Sequence, residues 1–320
     1  MTSLSTDAPP SVVHPPGKRK YRHPNDVKPA AHFAINAVFI GYGLLCLLPI
    51  LLVLAVSFSD ERSVALHGYS LFPEKLSWDA YAYLWSDRGQ IVRSYGISIV
   101  ATIAGSAVGL LMTALFAYPL ARGDFSFRTF FSFYIFFTMI FNGGLVPWYL
   151  VYTNYIDVKD TLLALIVPGL LLNGFSVIMV RTFFQTTIHP SLIESASIDG
   201  AGEMRIFFRI VLPLSMPVMA TIGLFYTLGY WNNWFNSMVF INDEKLINLQ
   251  YLMYKAMVNI QVLFANAQNG SSSGVTDLAS QPNETVRMAM CIVGMGPIVL
   301  AYPFFQQYFV KGLTIGAIKG

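Results

Sequence analysis

The chain has 320 residues, 55% of them hydrophobic and 12% charged, with a mean hydropathy of +0.54 and a formal net charge of +3. A soluble domain ordinarily has about 25% charged residues, so this balance excludes a soluble globular protein and points to an integral membrane protein. The charges are also clustered, because no Asp, Glu, Lys or Arg occurs in 29–59, 94–121, 129–156, 161–180, 210–242 or 288–310.

Residues 1–28 contain Pro9-Pro10, Pro15-Pro16 and the basic run Lys18-Arg19-Lys20-Tyr21-Arg22, a composition that cannot bury apolar surface and predicts a flexible tail. A basic run just before an apolar span is a topology determinant, so it is not read as a nucleic-acid-binding arm. Crossing the hydrocarbon core takes about 20 apolar residues, and six runs suffice: about 33–57, 94–120, 129–151, 161–183, 214–240 and 288–310. The first is too long for a signal h-region and follows a polar tail. None has the short alternating pattern of a barrel strand, so the predicted class is an all-α membrane protein with six transmembrane helices in one domain, 29–320.

Between the first two spans, the 59–91 loop holds Trp78, Tyr81, Tyr83 and Trp85, amphipathic rings suited to a membrane interface. The break at 184–213 is the most informative segment. It reads Glu194-Ser195-Ala196-Ser197-Ile198-Asp199-Gly200-Ala201-Gly202, then Ile210-Val211-Leu212-Pro213. Two short helices separated by Gly200 are expected, with Pro190 at the first start, Ser191 to Glu194 as a capping box, and Gly200 and Gly202 allowing the turn. The fifth span ends in Tyr230-Trp231-Asn232-Asn233-Trp234-Phe235-Asn236. Polar side chains at membrane depth are costly and usually face the bundle interior or a water-filled path. Asn232, Asn233 and Asn236 beside Tyr230, Trp231 and Trp234 therefore suit a sugar path, amides for hydroxyls and rings for apolar sugar faces; interhelical hydrogen bonding accounts for the same residues equally well. Asn142 and Asn173 are weaker candidates for that path. The 241–287 loop includes Asn269-Gly270-Ser271-Ser272-Ser273-Gly274, a flexible link.

With six spans the termini share a side. The amino tail, the loops with Arg122, Arg128, Arg181, Arg205 and Arg209, and Lys311 and Lys319 hold 12 of the 20 basic residues and six of the acids, net +6; the opposite loops hold eight bases and eleven acids, net −3. By the positive-inside rule both termini and the 184–213 loop are cytoplasmic. Cys46 and Cys291 fall inside spans and suggest neither a disulfide framework nor a metal site, and the five His residues lack ligand spacing.

The 194–213 loop, in register from the Glu through the Gly to Ile-x-Leu-Pro, resembles the cytoplasmic loop by which ABC importer permeases meet their ATPase. Met179-Val180-Arg181-Thr182-Phe183-Phe184, Tyr230 to Phe235, and the end from Phe309 to Gly320 look like carbohydrate-uptake permeases, specifically the second permease of the pair, similar to the smaller maltose-importer permease. Phe141-Asn142-Gly143-Gly144-Leu145-Val146-Pro147 looks like the subgroup of complex oligosaccharide and polysaccharide (alginate-type) uptake. The resemblance runs from about residue 33 to the carboxyl end, leaving out the amino tail and an insert at 264–284. It departs from the commonest loop, Glu-Ala-Ala, at Ser195, which is still small.

The resemblance implies a type I ABC importer permease fold in the bacterial cytoplasmic (inner) membrane, embedded in lipid. It implies alternating access driven by two separate ATPase subunits that bind ATP and Mg, with a second permease, an extracytoplasmic sugar-binding protein and a glycan substrate as further partners. On it, Glu194, Ser195, Ala196, Asp199, Gly200, Ala201 and Pro213 form the ATPase-coupling segment, and Gly316 and Lys319 belong to a tail reaching the ATPase interface. The 264–284 insert either touches the binding protein or is a solvated loop. No G-x-x-x-x-G-K-[ST] phosphate loop is present, so the chain is not the ATPase. The competing readings are the same architecture for a non-carbohydrate solute, a membrane enzyme, which wants carboxylates or lysines that the six windows lack, and an ion channel, which wants a filter-like segment.

Overall fold

The computed structural model describes residues 29–86, 88–269 and 284–317. They fall into two units, 29–50 and 51–317, each considered by itself. The first unit is helical and exposed from Ala31 to Ile50, the condition of an apolar helix whose surroundings are lipid or partner chains. It is most of α1, Pro29–Ser57.

The second unit is helical as well, and among the described residues the β-content is one isolated antiparallel bridge, Ser59–Leu76. After α2 (Glu61–His67) and α3 (Asp79–Ser86) comes the long α4, Arg88–Ala121. Next are α5 (Arg128–Ile140), α6 (Leu145–Leu150, continued by a wider turn over Val151–Tyr155), α7 (Leu163–Ile166) and α8 (Gly174–Thr187). Two short helices, α9 (Pro190–Ile198) and α10 (Glu203–Ile206), lead through a wide turn (Phe207–Val211) and α11 (Leu212–Leu214) into α12 (Met216–Trp231). The chain ends with α13 (Phe235–Phe240), α14 (Leu249–Asn269) and α15 (Glu284–Ala317).

Among the described residues three helices are long and apolar enough to cross a membrane, within α1, α4 and α15, and the number is up to five if each of two bent pairs is one span. The expected continuous runs are interrupted. Over 129–151 the chain bends by 117° between α5 and α6, at Phe141-Asn142-Gly143-Gly144, where the Asn142 side chain accepts from the Gly144 amide at 2.8 Å and Gly144 has φ +87°. The 161–183 run is divided at 167–173, around Pro168 and Gly169 (φ +73°). The expected loop at 241–287 dips into the bundle where α14 begins: Asn248 and Leu249 are buried, and the Leu249 amide donates to the Ser98 hydroxyl of α4 at 2.8 Å.

The core lies along α4. Its Gly105 and Gly109 give a flat face on which the rings of Tyr230 and Tyr226 rest; a Cβ at Gly105 would overlap the Tyr230 ring, and one at Gly109 would sit 3.0 Å from Tyr226. Small residues four apart let another element approach a helix backbone closely. Here they admit two tyrosines of α12. Tyr226 then shares a 2.7 Å hydrogen bond with Thr113 and accepts from the Asn173 amide at 3.3 Å, so one hydroxyl joins α4, α12 and the start of α8.

Candidate functional site

Helix α9 begins with Pro190 in its first position and His189 as N-cap. The expected capping box does not form, because Pro190 sets the start one residue earlier and Ser191 lies inside the helix, its hydroxyl 2.9 Å from the His189 ring nitrogen. The carboxyl end explains the Glu-Ser-Ala-Ser-Ile-Asp-Gly-Ala string physically. Asp199 is the C-cap, Gly200 takes φ +78°, the Gly200 amide donates to the Ser197 carbonyl and the Ala201 amide to the Ala196 carbonyl, both at 3.0 Å. This is a Schellman closure, which satisfies carbonyls the helix would leave open and needs a residue that tolerates a left-handed backbone. Ala196 and Ala201, which its last hydrogen bond joins, both pack against the core. Gly202, at φ −71°, has no such need.

Of the predicted coupling residues, Glu194, Ser195, Asp199 and Gly200 are exposed on this helix and its cap, and Pro213 is exposed in α11. Ile198 is 86% exposed and Met204 66%, so the helix pair presents apolar side chains on an exposed surface. The α10–α11 stretch meets α12 at 83°, around the buried Ser215. Gly316 belongs to the end of α15, and Lys319 lies outside the described residues, as do 1–28 and most of the 264–284 insert.

Four residues at the base of this pair, Tyr118, Arg122, Asp124 and Glu203, were not singled out from sequence. Arg122, just past α4, donates through Nε to Asp124 at 2.8 Å, through Nη1 to both oxygens of Glu203 at 2.8 and 2.7 Å, and to the Tyr118 hydroxyl at 3.2 Å. Tyr118 in turn donates to Glu203 at 2.8 Å. The Asp124 hydrogen bond is the largest influence holding Arg122 protonated, and the guanidinium in return pulls the Asp124 carboxyl below its usual range. The sequence signal was Arg122 ending a charge-free stretch, which reads equally as a topology marker.

The six sugar-path candidates come together around the end of α12 but divide in two. Tyr230 donates to the Ile166 carbonyl, Trp231 to the Gly294 carbonyl and Asn236 to the Pro168 carbonyl, each at 2.9 Å, and all three are buried. Their polar atoms join helices. Asn233 is part-buried, its carbonyl and side chain accepting from Asn248 and from the Asn236 amide. Asn232 and Trp234 remain exposed, and Trp234 stacks on Tyr254 of α14 with ring centroids 4.6 Å apart, a partner the sequence did not indicate. Near the break before α8, a cavity of about 230 Å³ is lined by Gly169, Asn173, Ser176, Tyr226 and Gly229.

Apolar helices that break within their spans, where irregular backbone is tolerated only if protein or a water-filled path surrounds it, together with a rigid exposed helix pair, have the build of a multi-pass transport permease. The comparisons agree. The chain belongs to the family of binding-protein-dependent transport system inner membrane components, which matches residues 105–315. It is 37% identical to the polygalacturonan/rhamnogalacturonan transport system permease protein YtcP of Bacillus subtilis (strain 168), over 89% of this chain and 97% of the relative. It is 38% identical to protein LplC of the same organism, over 89% and 94%. A crystal structure of a bacterial ABC transporter that imports the acidic polysaccharide alginate contains a chain matching 90% of this one and 100% of its own length, with TM-score 0.73 and 29% identity.

Proposed function

We propose that this chain is a permease subunit of an ATP-driven importer that carries oligosaccharides or polysaccharide fragments into the cytoplasm by alternating access. It works with a second permease, two ATPase subunits that bind ATP and Mg, and an extracytoplasmic sugar-binding protein. The relative named for polygalacturonan/rhamnogalacturonan transport and the solved transporter involved in alginate import support the substrate class.

The observation that carries the coupling role is the Schellman-closed α9 with its exposed Ile198 and the neighbouring Met204. A helix closed at its end by Gly200, with small Ser195 on its exposed face and Ala196 seated on the core, fits a cleft and transmits a push. ATP-driven closure of the ATPases would move α9 and α10, and these move the spans. The exposed pair Asn232, whose side-chain nitrogen donates to the Leu228 carbonyl at 3.0 Å, and Trp234, stacked on Tyr254, is the part of the α12 end that would meet a sugar.

The test is ATPase activity and uptake by the reconstituted complex, with and without sugar-loaded binding protein, comparing native chain and Gly200→Pro. Loss of stimulation in an assembled complex is expected, and unchanged stimulation removes the coupling role. Radiolabelled oligogalacturonate serves as the probe for uptake; failure to take up this or neutral oligosaccharides favours the same architecture with a non-carbohydrate solute.

A further inference from the structure

We infer that Arg122 is a positioning residue that fixes how the α9–α10 pair is held on α4 and so passes movement of that pair to α4, an inference that rests on the permease reading above. The pair's attachment has two parts of different physical kind. Ile206 and Phe207 are buried, the Phe207 ring lying 5.4 Å from that of Tyr118 in α4. This apolar anchor gives adhesion without direction, because burial of apolar surface is not directional.

Direction comes from Arg122. Its planar fork, Nε and Nη2, grips the two oxygens of Asp124, which leaves Nη1 aimed at both oxygens of Glu203, the residue that opens α10, and at the Tyr118 hydroxyl, which closes the ring of contacts. A guanidinium satisfied on several edges has one geometry, which a point charge such as lysine would not impose. The Arg122 side chain is 21% exposed and Glu203 61%, and an exposed ion pair adds little to stability. Its contribution is the register of the pair.

The surrounding space makes the contact point-like. One cavity of about 380 Å³ lies on the α9 side, lined by Glu194, Ile193 and Gln185, and another of about 400 Å³ lies on the α10 side, lined by Glu203, Met204 and Phe207. Tyr118, Arg122 and Asp124 border both. The helix pair therefore has open volume on either side of Arg122, the arrangement of a pivot. At its middle, α4 carries the two tyrosines of α12 on Gly105 and Gly109, so a tilt of α4 reaches the middle of the bundle.

The experiment uses the complex with its partner permease and ATPases in nanodiscs, without sugar. Spin labels at Leu111 on α4 and at Ser197 on α9 are each paired with one at Val299 on α15. Distances are compared between the resting state and the state trapped with ATP and vanadate. In the native complex both distances change. In Arg122→Met, Glu203→Ala and the double variant, the Ser197 distance still changes and the Leu111 change falls to less than half, the double variant being no worse than either single one, as for residues acting as one unit. A native-sized Leu111 change in Glu203→Ala, or additive losses in the double variant, overturns the relay alone. A native complex in which neither distance changes overturns the permease reading and the relay with it.

Discussion

Glu61 and Thr285, 224 residues apart, meet through a carboxylate that accepts from the Thr285 amide at 3.0 Å and its hydroxyl at 2.7 Å, while the other carboxylate oxygen accepts from the Glu284 amide at 3.0 Å. The first amides of a helix have no partner within it. A side chain from α2 supplies that partner for α15. Thr285 is 1% exposed, so Glu61→Ala strands buried donors at a cost of about 1–3 kcal/mol. The expected result is a lower Tm of the purified complex, with faster hydrogen exchange confined to the start of α15; Glu61→Gln, which keeps acceptor oxygen, loses less. Equal exchange in all three proteins would show that the cap is dispensable.

Gly200 and Gly202 are two positions apart and differ in kind. Forcing a Cβ into the left-handed backbone costs about 1–2 kcal/mol, so Gly200→Ala opens the end of α9 and lowers coupled transport. Gly202→Ala, at φ −71° with open space around it, leaves transport near the native level. Uptake rates normalised to assembled complex decide between this and equal sensitivity.

At Gly105 the obstacle is space. The Tyr230 ring is buried and tied to the Ile166 carbonyl, so Gly105→Ala overpacks the α4–α12 contact by about 1–3 kcal/mol. Thermal unfolding followed by fluorescence-detected size exclusion is expected to show a lower midpoint, partly recovered when Tyr230→Leu is added. A Gly105→Ala protein with native stability contradicts the packing.

Asp160 holds two loops together. The Asn242 amide, then the Asp243 amide, hold its carboxyl below the ordinary value of 3.8. The folded state binds this proton less readily than the unfolded chain, so the contribution is complete above that value and is lost as pH falls through the lowered one. Protection factors of the two amides are expected to be level above the ordinary value, to decline as pH drops below it and to reach their floor below the lowered value. In Asp160→Asn they are low and flat, and identical profiles for both proteins would rule the tie out.

Trp231 and Trp234 separate packing from solute contact. Trp231→Ala removes a buried ring and its hydrogen bond to Gly294 and lowers the yield of assembled complex, by about 3–5 kcal/mol of stability. Trp234→Ala leaves assembly intact and reduces uptake. Reduced assembly in both would assign Trp234 to packing as well.

Hydropathy made the long spans legible, since α1, α4 and α15 each fill a charge-free window. It measures apolar content and says little about continuity, which is why Phe141 to Gly144 and Val167 to Asn173 were absorbed into spans. Gly144 and Gly169 marked those breaks, but a glycine with positive φ and one in a close-packed helix are written identically. In the coupling segment the turn at Gly200 was legible from local backbone chemistry. Arg122, Glu203 and Tyr254 were not, because each works through a partner far away in sequence.

The division before α8 also bears on how the protein is made. A helix of 14 residues rises only about 21 Å at 1.5 Å per residue, short of the roughly 30 Å of hydrocarbon it would have to cross. Its N-cap Asn173 covers the Ser176 amide from within at 3.1 Å, but the amide of Asn173 itself donates to Tyr226, which is synthesised later. Biosynthesis therefore delivers the 161–187 segment before its support exists, and its final seating in the bilayer waits for α12 to arrive.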